Sequence, residues 1–146
     1  MRIHLSIADP SPAVRALERH LARLREGIAT AIARRALERV IERTPVETGR
    51  LRAAWTRALQ EIGGTVPFGS EGGDAGAVAE GAALGSATVR ETAGGTEIEI
   101  ENAVPYAAAI EHGPRGRGGE RIVARALADT AAELRWGGEG PNINDQ

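Results

Sequence analysis

Thr44-Pro45-Val46-Glu47-Thr48-Gly49-Arg50-Leu51-Arg52 breaks one helical pattern and begins another. Pro45 lacks the N–H that a helix interior needs, and its ring clashes with the turn before it, so the helix arriving from the N-terminal side stops here. Thr48 is a residue type whose hydroxyl caps a new helix start, and Gly49 beside it frees the backbone for a sharp bend. The stretch reads as a rigid corner between two helices.

Working outward toward the N-terminus, Val14, Leu17, Leu21, Leu24, Ile28, Ile32, Val40 and Ile41 keep near-helical spacing. Ser11 is placed to cap this helix and Pro12 to occupy its first position. The pattern predicts a helix of roughly 30 residues ending at Arg43, about 45 Å long. That is long for a small domain, so one end is expected to project beyond its own core or to pack on a neighbour. Gly27 costs such a helix about 1 kcal/mol relative to alanine and marks a candidate bend. Before it, Ile3, Leu5 and Ile7 alternate with polar residues as a half-buried strand does, up to Asp9-Pro10.

Toward the C-terminus, Leu51, Trp55, Leu59 and Ile62 form one stripe of a second helix that Gly63-Gly64 ends. Residues 63–85 are rich in glycine and small side chains and read as a flexible insertion, with one marginal turn of helix between Ala77 and Leu84. Ser86 to Thr92 and Thr96 to Asn102 read as strands of a hairpin joined by Ala93-Gly94-Gly95. A second corner follows at Val104-Pro105-Tyr106-Ala107-Ala108-Ala109-Ile110-Glu111-His112-Gly113, in which Val104, Tyr106 and Ile110 are expected to face the core. After an arginine-glycine connector, a last helix from about Glu120 to Trp136 is expected to bury Ile122, Val123, Ala126, Leu127 and Leu134. The result is one α+β domain over residues 1–136, a small antiparallel sheet packed against long α-helices, with a polar tail at 137–146.

Aromatic residues make up 3% of the chain, so the core must be built from Leu, Ile, Val and Ala. Alanine buries little area, and at about 25 cal/mol per Å² such a core holds a monomer weakly. Subunit contacts are the expected supplement. A formal charge of −2 argues against a free-standing binder of nucleic acid held by phosphate contacts. All basic residues are arginine, a bias that GC-rich coding produces by itself, so arginine number carries little weight as evidence of a site. With no cysteine there is no disulfide, thiolate metal site or cysteine nucleophile. Residues 1–7 are too short and too interrupted for a signal peptide, and no apolar run approaches the roughly 20 residues of a membrane helix. A soluble protein made in the cytoplasm is expected, without contact to a membrane.

No constellation in the chain reads as catalytic, cofactor-binding or metal-binding. His4, His20 and His112 are far apart in sequence and form neither a cluster nor the order of a nucleophilic triad. Glu97, Glu99 and Glu101 place three carboxylates on one face of a strand. This is either a solvated face, a row that meets arginines of a neighbouring subunit, or the lining of a channel through which DNA slides without sticking. On the first helix, Arg15, Arg19 and Arg23 follow at four-residue spacing and form a positive ridge. Ridge and row together are a candidate subunit interface. A nucleic-acid-binding regulator using the arginine-rich helix is the alternative from another class, and a small hydrolase using Glu97, Glu99 or Glu111 with His112 is a third.

The two corners in this order, Thr44, Pro45, Val46, Thr48, Gly49, Leu51 and Arg52 with Trp55 a turn beyond, then Val104, Pro105, Tyr106, Ile110, Glu111 and Gly113, resemble the tail-completion or head-tail joining family of tailed bacteriophages. Glu47 stands where that family more often has aspartate, and His112 and Pro114 where it usually has an aromatic and a threonine. The resemblance implies a structural virion protein of the phage neck, without cofactor or chemistry of its own. It implies assembly in the host cytoplasm into a homo-oligomeric ring, a hexamer by family expectation, that contacts neighbouring neck and tail proteins and lets DNA pass without specific binding.

Overall fold

The computed structural model describes residues 12–67, 69, 72–93, 95–113 and 118–137. The strand expected at Ile3 to Ile7 and the tail from Gly138 onward lie outside the described residues, as do residues 114–117 of the arginine-glycine connector. In chain order the elements are α1 (Pro12–Arg43), α2 (Arg50–Glu61), α3 (Ala75–Ala83), β1 (Gly85–Thr92), β2 (Gly95–Asn102), α4 (Ala107–His112) and α5 (Ile122–Gly137). The α+β layout of long helices and a two-stranded antiparallel sheet is the one the sequence implies.

At 32 residues, α1 runs without interruption through Gly27 and is about 48 Å long. Its C-terminal half carries the core: Leu37 and Ile41 pack with Ala58, Leu59 and Ile62 of the α2 region, while Val40 packs with Ile122 and Ala126 of α5. Its N-terminal half leaves that core. Leu17, Leu21, Leu24 and Ile28 are 50–63% exposed, so the expected projection beyond the domain is what the helix does.

The hairpin pairs Ala87 with Ile100 and Val89 with Ile98 on one face, and Thr88 with Glu99 and Arg90 with Glu97 on the other. Two strands alone are marginal in water. Here Ala87, Ile98 and Ile100 lie against the Leu37, Ile41 and Leu59 cluster, and that contact holds the sheet in place. Trp55 is partly buried and touches both this cluster and the one around Val40, joining the two halves of the core.

The glycine-rich stretch contains more structure than its composition suggests. Instead of one marginal turn, α3 makes about two and a half turns. Asp74 caps it by accepting a hydrogen bond from Ala77 N at 2.9 Å. The reason it packs is the absence of side chains: a Cβ on Gly81 would lie 2.1 Å from the Arg50 carbonyl oxygen, and one on Gly85 would lie 1.9 Å from that of Ala54. Backbone therefore rests directly on the α2 backbone.

On α5 the buried face is narrower than expected. Ile122, Ala126 and Thr130 are buried at four-residue spacing, whereas Leu127 and Leu134 are 54% and 51% exposed. The rest of the α1–α5 seam is polar. Arg43 pairs with Asp129, Arg39 with Glu133 at 2.8 Å and with Thr130 at 3.1 Å, and Arg35 with Glu133 at 3.4 Å. Positions rise along α5 as they fall along α1, so the helices are antiparallel.

Two predictions follow from this packing. Gly27 has open space around its Cβ position, so Gly27→Ala is expected to stabilise the fold by about 0.5–1 kcal/mol, whereas Gly81→Ala is expected to destabilise it by about 1–3 kcal/mol. Urea denaturation of both variants checks the opposition, and a neutral Gly81→Ala would contradict the close contact. For pH, the Arg43 guanidinium holds the Asp129 carboxyl below its usual range, and the Ala87 N–H does the same for Glu61, aided by Arg57. Both folded-state values are depressed, so their contribution is present above the unfolded carboxylate pKa and is lost as pH falls through the folded one. Urea midpoints are expected to drop below about pH 4, by less in Asp129→Asn than in the unaltered protein.

Candidate functional site

The two sequence corners meet in one cluster. Leu51 and Ala54 of α2 pack with Val104, and Leu84, Ala107 and Ile110 complete the patch. Asn102, the last residue of β2, bridges the corners: its Nδ2 donates to the Leu51 carbonyl and its Oδ1 accepts from Val104 N, each at 3.1 Å. Sequence reasoning overlooked Asn102 because a polar residue ending a strand has many innocuous uses.

At the first corner, Thr44 is fully buried at the end of α1. Its hydroxyl donates to the Val40 carbonyl at 2.6 Å, and its own carbonyl accepts from Arg52 Nε at 3.1 Å and from Arg52 Nη2. A guanidinium at a helix C-terminus satisfies the last carbonyls and opposes the negative end of the helix dipole. Burial lowers the pKa of Arg52, yet a guanidinium remains charged in a protein.

Thr48 does not have the expected role as helix cap. Gly49 is the N-cap, in the left-handed region at φ 83°, and no side chain caps the helix. The Thr48 hydroxyl accepts only a long contact of 3.4 Å from Arg50 N. What demands glycine at 49 is both this φ and crowding, since a Cβ there would stand 2.7 Å from the Gly72 carbonyl oxygen. The Thr48 carbonyl instead accepts from Asp74 N at 3.0 Å, tying the corner to the start of α3. Pro45 and Val46 lie on the surface.

At the second corner, Glu111 is the organising residue. Its carboxylate accepts from Val123 N at 2.9 Å and from Ala124 N at 3.0 Å, the first turn of α5. Two otherwise unpartnered helix N–H groups are thus satisfied by a negative charge, where the dipole favours one. The backbone doubles the link: Glu120 N donates to the Ile110 carbonyl at 2.8 Å and Arg121 N to that of Glu111 at 3.1 Å. Gly113 ends α4 at φ 77°, a left-handed value suited to glycine. Tyr106, expected in the core, is 37% exposed; it precedes the helix as its N-cap, while Val104 and Ile110 fill the apolar space.

The remaining candidates lie at the surface. Arg15, Arg19 and Arg23 are exposed on the projecting half of α1, and Glu97, Glu99 and Glu101 are exposed on the outer face of β2. Among the described residues, Arg25 of projecting α1 forms an ion pair with Glu91 of the hairpin at 3.3 Å. An open groove of about 500 Å³ runs between α2 and α3, and its described lining contains neither carboxylate nor histidine. Among the described residues, no cluster of His, Asp or Glu could hold a metal ion, and no helix is long and apolar enough to cross a membrane.

Residues 13–113 match the family model described as "Bacteriophage HK97-gp10, putative tail-component". The match spans most of the chain and takes in both corners, and the chain belongs to this family, a class of structural components of bacteriophage tails. No curated protein and no solved structure matches it.

If Glu111 organises the second corner, Glu111→Ala should cost about 1–3 kcal/mol, with amide exchange accelerated at Val123 and Ala124 before the rest of α5. A variant whose α5 amides exchange at the original rate would show that α5 is held without Glu111, by its packing and ion pairs with α1.

Proposed function

Taking the chain as a member of this phage tail-component family, we propose that it is a structural subunit of the neck, joining the head connector to the tail as one of six copies in a ring. The observation that carries this reading is the projecting half of α1, held by a rigid corner yet unused by its own core. A helix presented in this way is an assembly element.

Charge spacing supports a contact between neighbouring subunits. Arg15, Arg19 and Arg23 recur about every 6 Å along the helix, and Glu97, Glu99 and Glu101 about every 6.8 Å along the strand. A ridge on one subunit matches the row on the next, and such head-to-tail contacts make a ring when the rotation between neighbours closes. The ring passes DNA through its lumen without specific binding, consistent with a net charge of −2. Neighbouring neck and tail proteins are its other partners, and the protein is assembled in the host cytoplasm and carried in the virion.

Loss of the gene product during infection is the test. Filled heads and finished tails are expected to accumulate separately and to join when the purified protein is added to the lysate. Infectious particles of normal form made without the protein would refute the joining role, and heads without any separate tails would move the protein to an earlier step of tail assembly.

A further inference from the structure

Along the projecting half of α1, Leu17, Leu21, Leu24 and Ile28 stand 56%, 53%, 50% and 63% exposed. Their intervals of four, three and four residues are the a/d spacing of a coiled-coil seam, a stripe narrow enough to fit one helix. At about 100° per residue, this seam lies about 160° around α1 from the core face made by Ala36, Leu37, Val40 and Ile41. The chain's own core is therefore on the wrong side to cover it. It also lies opposite the Arg15, Arg19 and Arg23 ridge, so covering the seam leaves that ridge accessible.

We propose that the seam is covered by the same seam of a second copy, with the two α1 segments antiparallel, so that the unassembled protein is a two-fold dimer. In this register Leu17 meets Ile28 of the second copy and Leu21 meets its Leu24, twice over because of the symmetry. The e positions decide the direction. Glu18 comes within about 3 Å along the axis of Arg25 of the second copy, and the symmetric pair repeats the match. A parallel pairing would instead bring His20 toward Arg25, with no charge attraction. Arg25 already reaches Glu91 of its own hairpin at 3.3 Å, and the guanidinium has donors enough for both carboxylates. Because α1 is already helical and anchored by its C-terminal half, pairing does not bear the cost of forming the helix. The two-fold contact is isologous and closes at two copies, so it masks the apolar seam in the free protein without starting a ring.

Sedimentation of the full-length protein over micromolar to millimolar concentration tests this. A concentration-dependent dimer is expected, and Leu21→Glu, an exposed change that leaves helix content intact by circular dichroism, is expected to raise the dimer Kd at least about a hundredfold. Glu18→Arg or Arg25→Glu alone is expected to weaken the dimer by about tenfold, and the two together to restore it, since the swap preserves the complementarity. The natural chain has no cysteine, so mixed Leu21→Cys and Leu24→Cys chains should cross-link to each other under oxidation and not to themselves. A monomer at every concentration overturns the proposal and points to residues 1–11 or a neighbouring virion protein as the cover. A dimer indifferent to Leu21→Glu, or self-linking Leu21→Cys chains, overturns the seam or its direction. None of these outcomes touches the neck reading, which is decided in infected cells.

Discussion

The hydrogen bonds from the Arg52 guanidinium to the Thr44 carbonyl fix how α2 leaves α1, and the remainder of the fold is arranged on α2. Its Leu59 and Ala58 face α1 and the hairpin, its Leu51 and Ala54 face Val104, and its backbone carbonyls at Arg50 and Ala54 receive Gly81 and Gly85. A core with so few aromatic side chains gains little from any single contact. Polar links spaced along its edges compensate: Thr44 to Arg52, Asn102 to Leu51 and Val104, and Glu111 to the start of α5. Each satisfies backbone groups at an element boundary, where unpaired donors and acceptors are costly.

Local punctuation made much of this readable in advance. Pro45 and Gly49 announce the first corner, the strand alternation around Ile98 and Ile100 announces the hairpin, and the near-helical spacing from Val14 to Ile41 announces α1 without tertiary knowledge. The failures share a cause. Thr48 looked like the cap because its chemistry suits the role, but Gly49 takes the N-cap position in a left-handed conformation, and Gly72 and Val78, distant in sequence, leave no room for a side chain there. Helix α3 was underestimated because its stability comes from backbone resting on backbone, a contact that leaves no apolar pattern. On α5, Leu127 and Leu134 look like core residues by type, yet the partner helix offers them no surface and takes Thr130 instead.

The division within α1 has a similar character. As one pattern, its apolar residues from Val14 to Ile41 look like a single amphipathic face. In three dimensions they form two faces on nearly opposite sides, one for the domain's core and one directed away from it. The same helix also carries two sets of arginines with different fates: Arg35, Arg39 and Arg43 are engaged with Asp129 and Glu133 of α5, whereas Arg19 and Arg23 face outward. Four-residue spacing is common to both sets, and only the position of α5 distinguishes them.

Considered mechanically, the projecting half of α1 is a lever whose fulcrum is the buried cluster at Leu37, Ile41 and Leu59. Twenty residues separate Leu17 from Leu37, an arm of about 30 Å, and a tilt of about 5° at the fulcrum would swing Leu17 by about 2.6 Å, enough to put a leucine out of register with the hole proposed to receive it. Positional accuracy at the tip is thus set by stiffness at the base, and the salt links from α5 act as a brace on the short side of the lever. Changes in Arg39 or Glu133 should be felt most at Leu17, a residue neither of them touches.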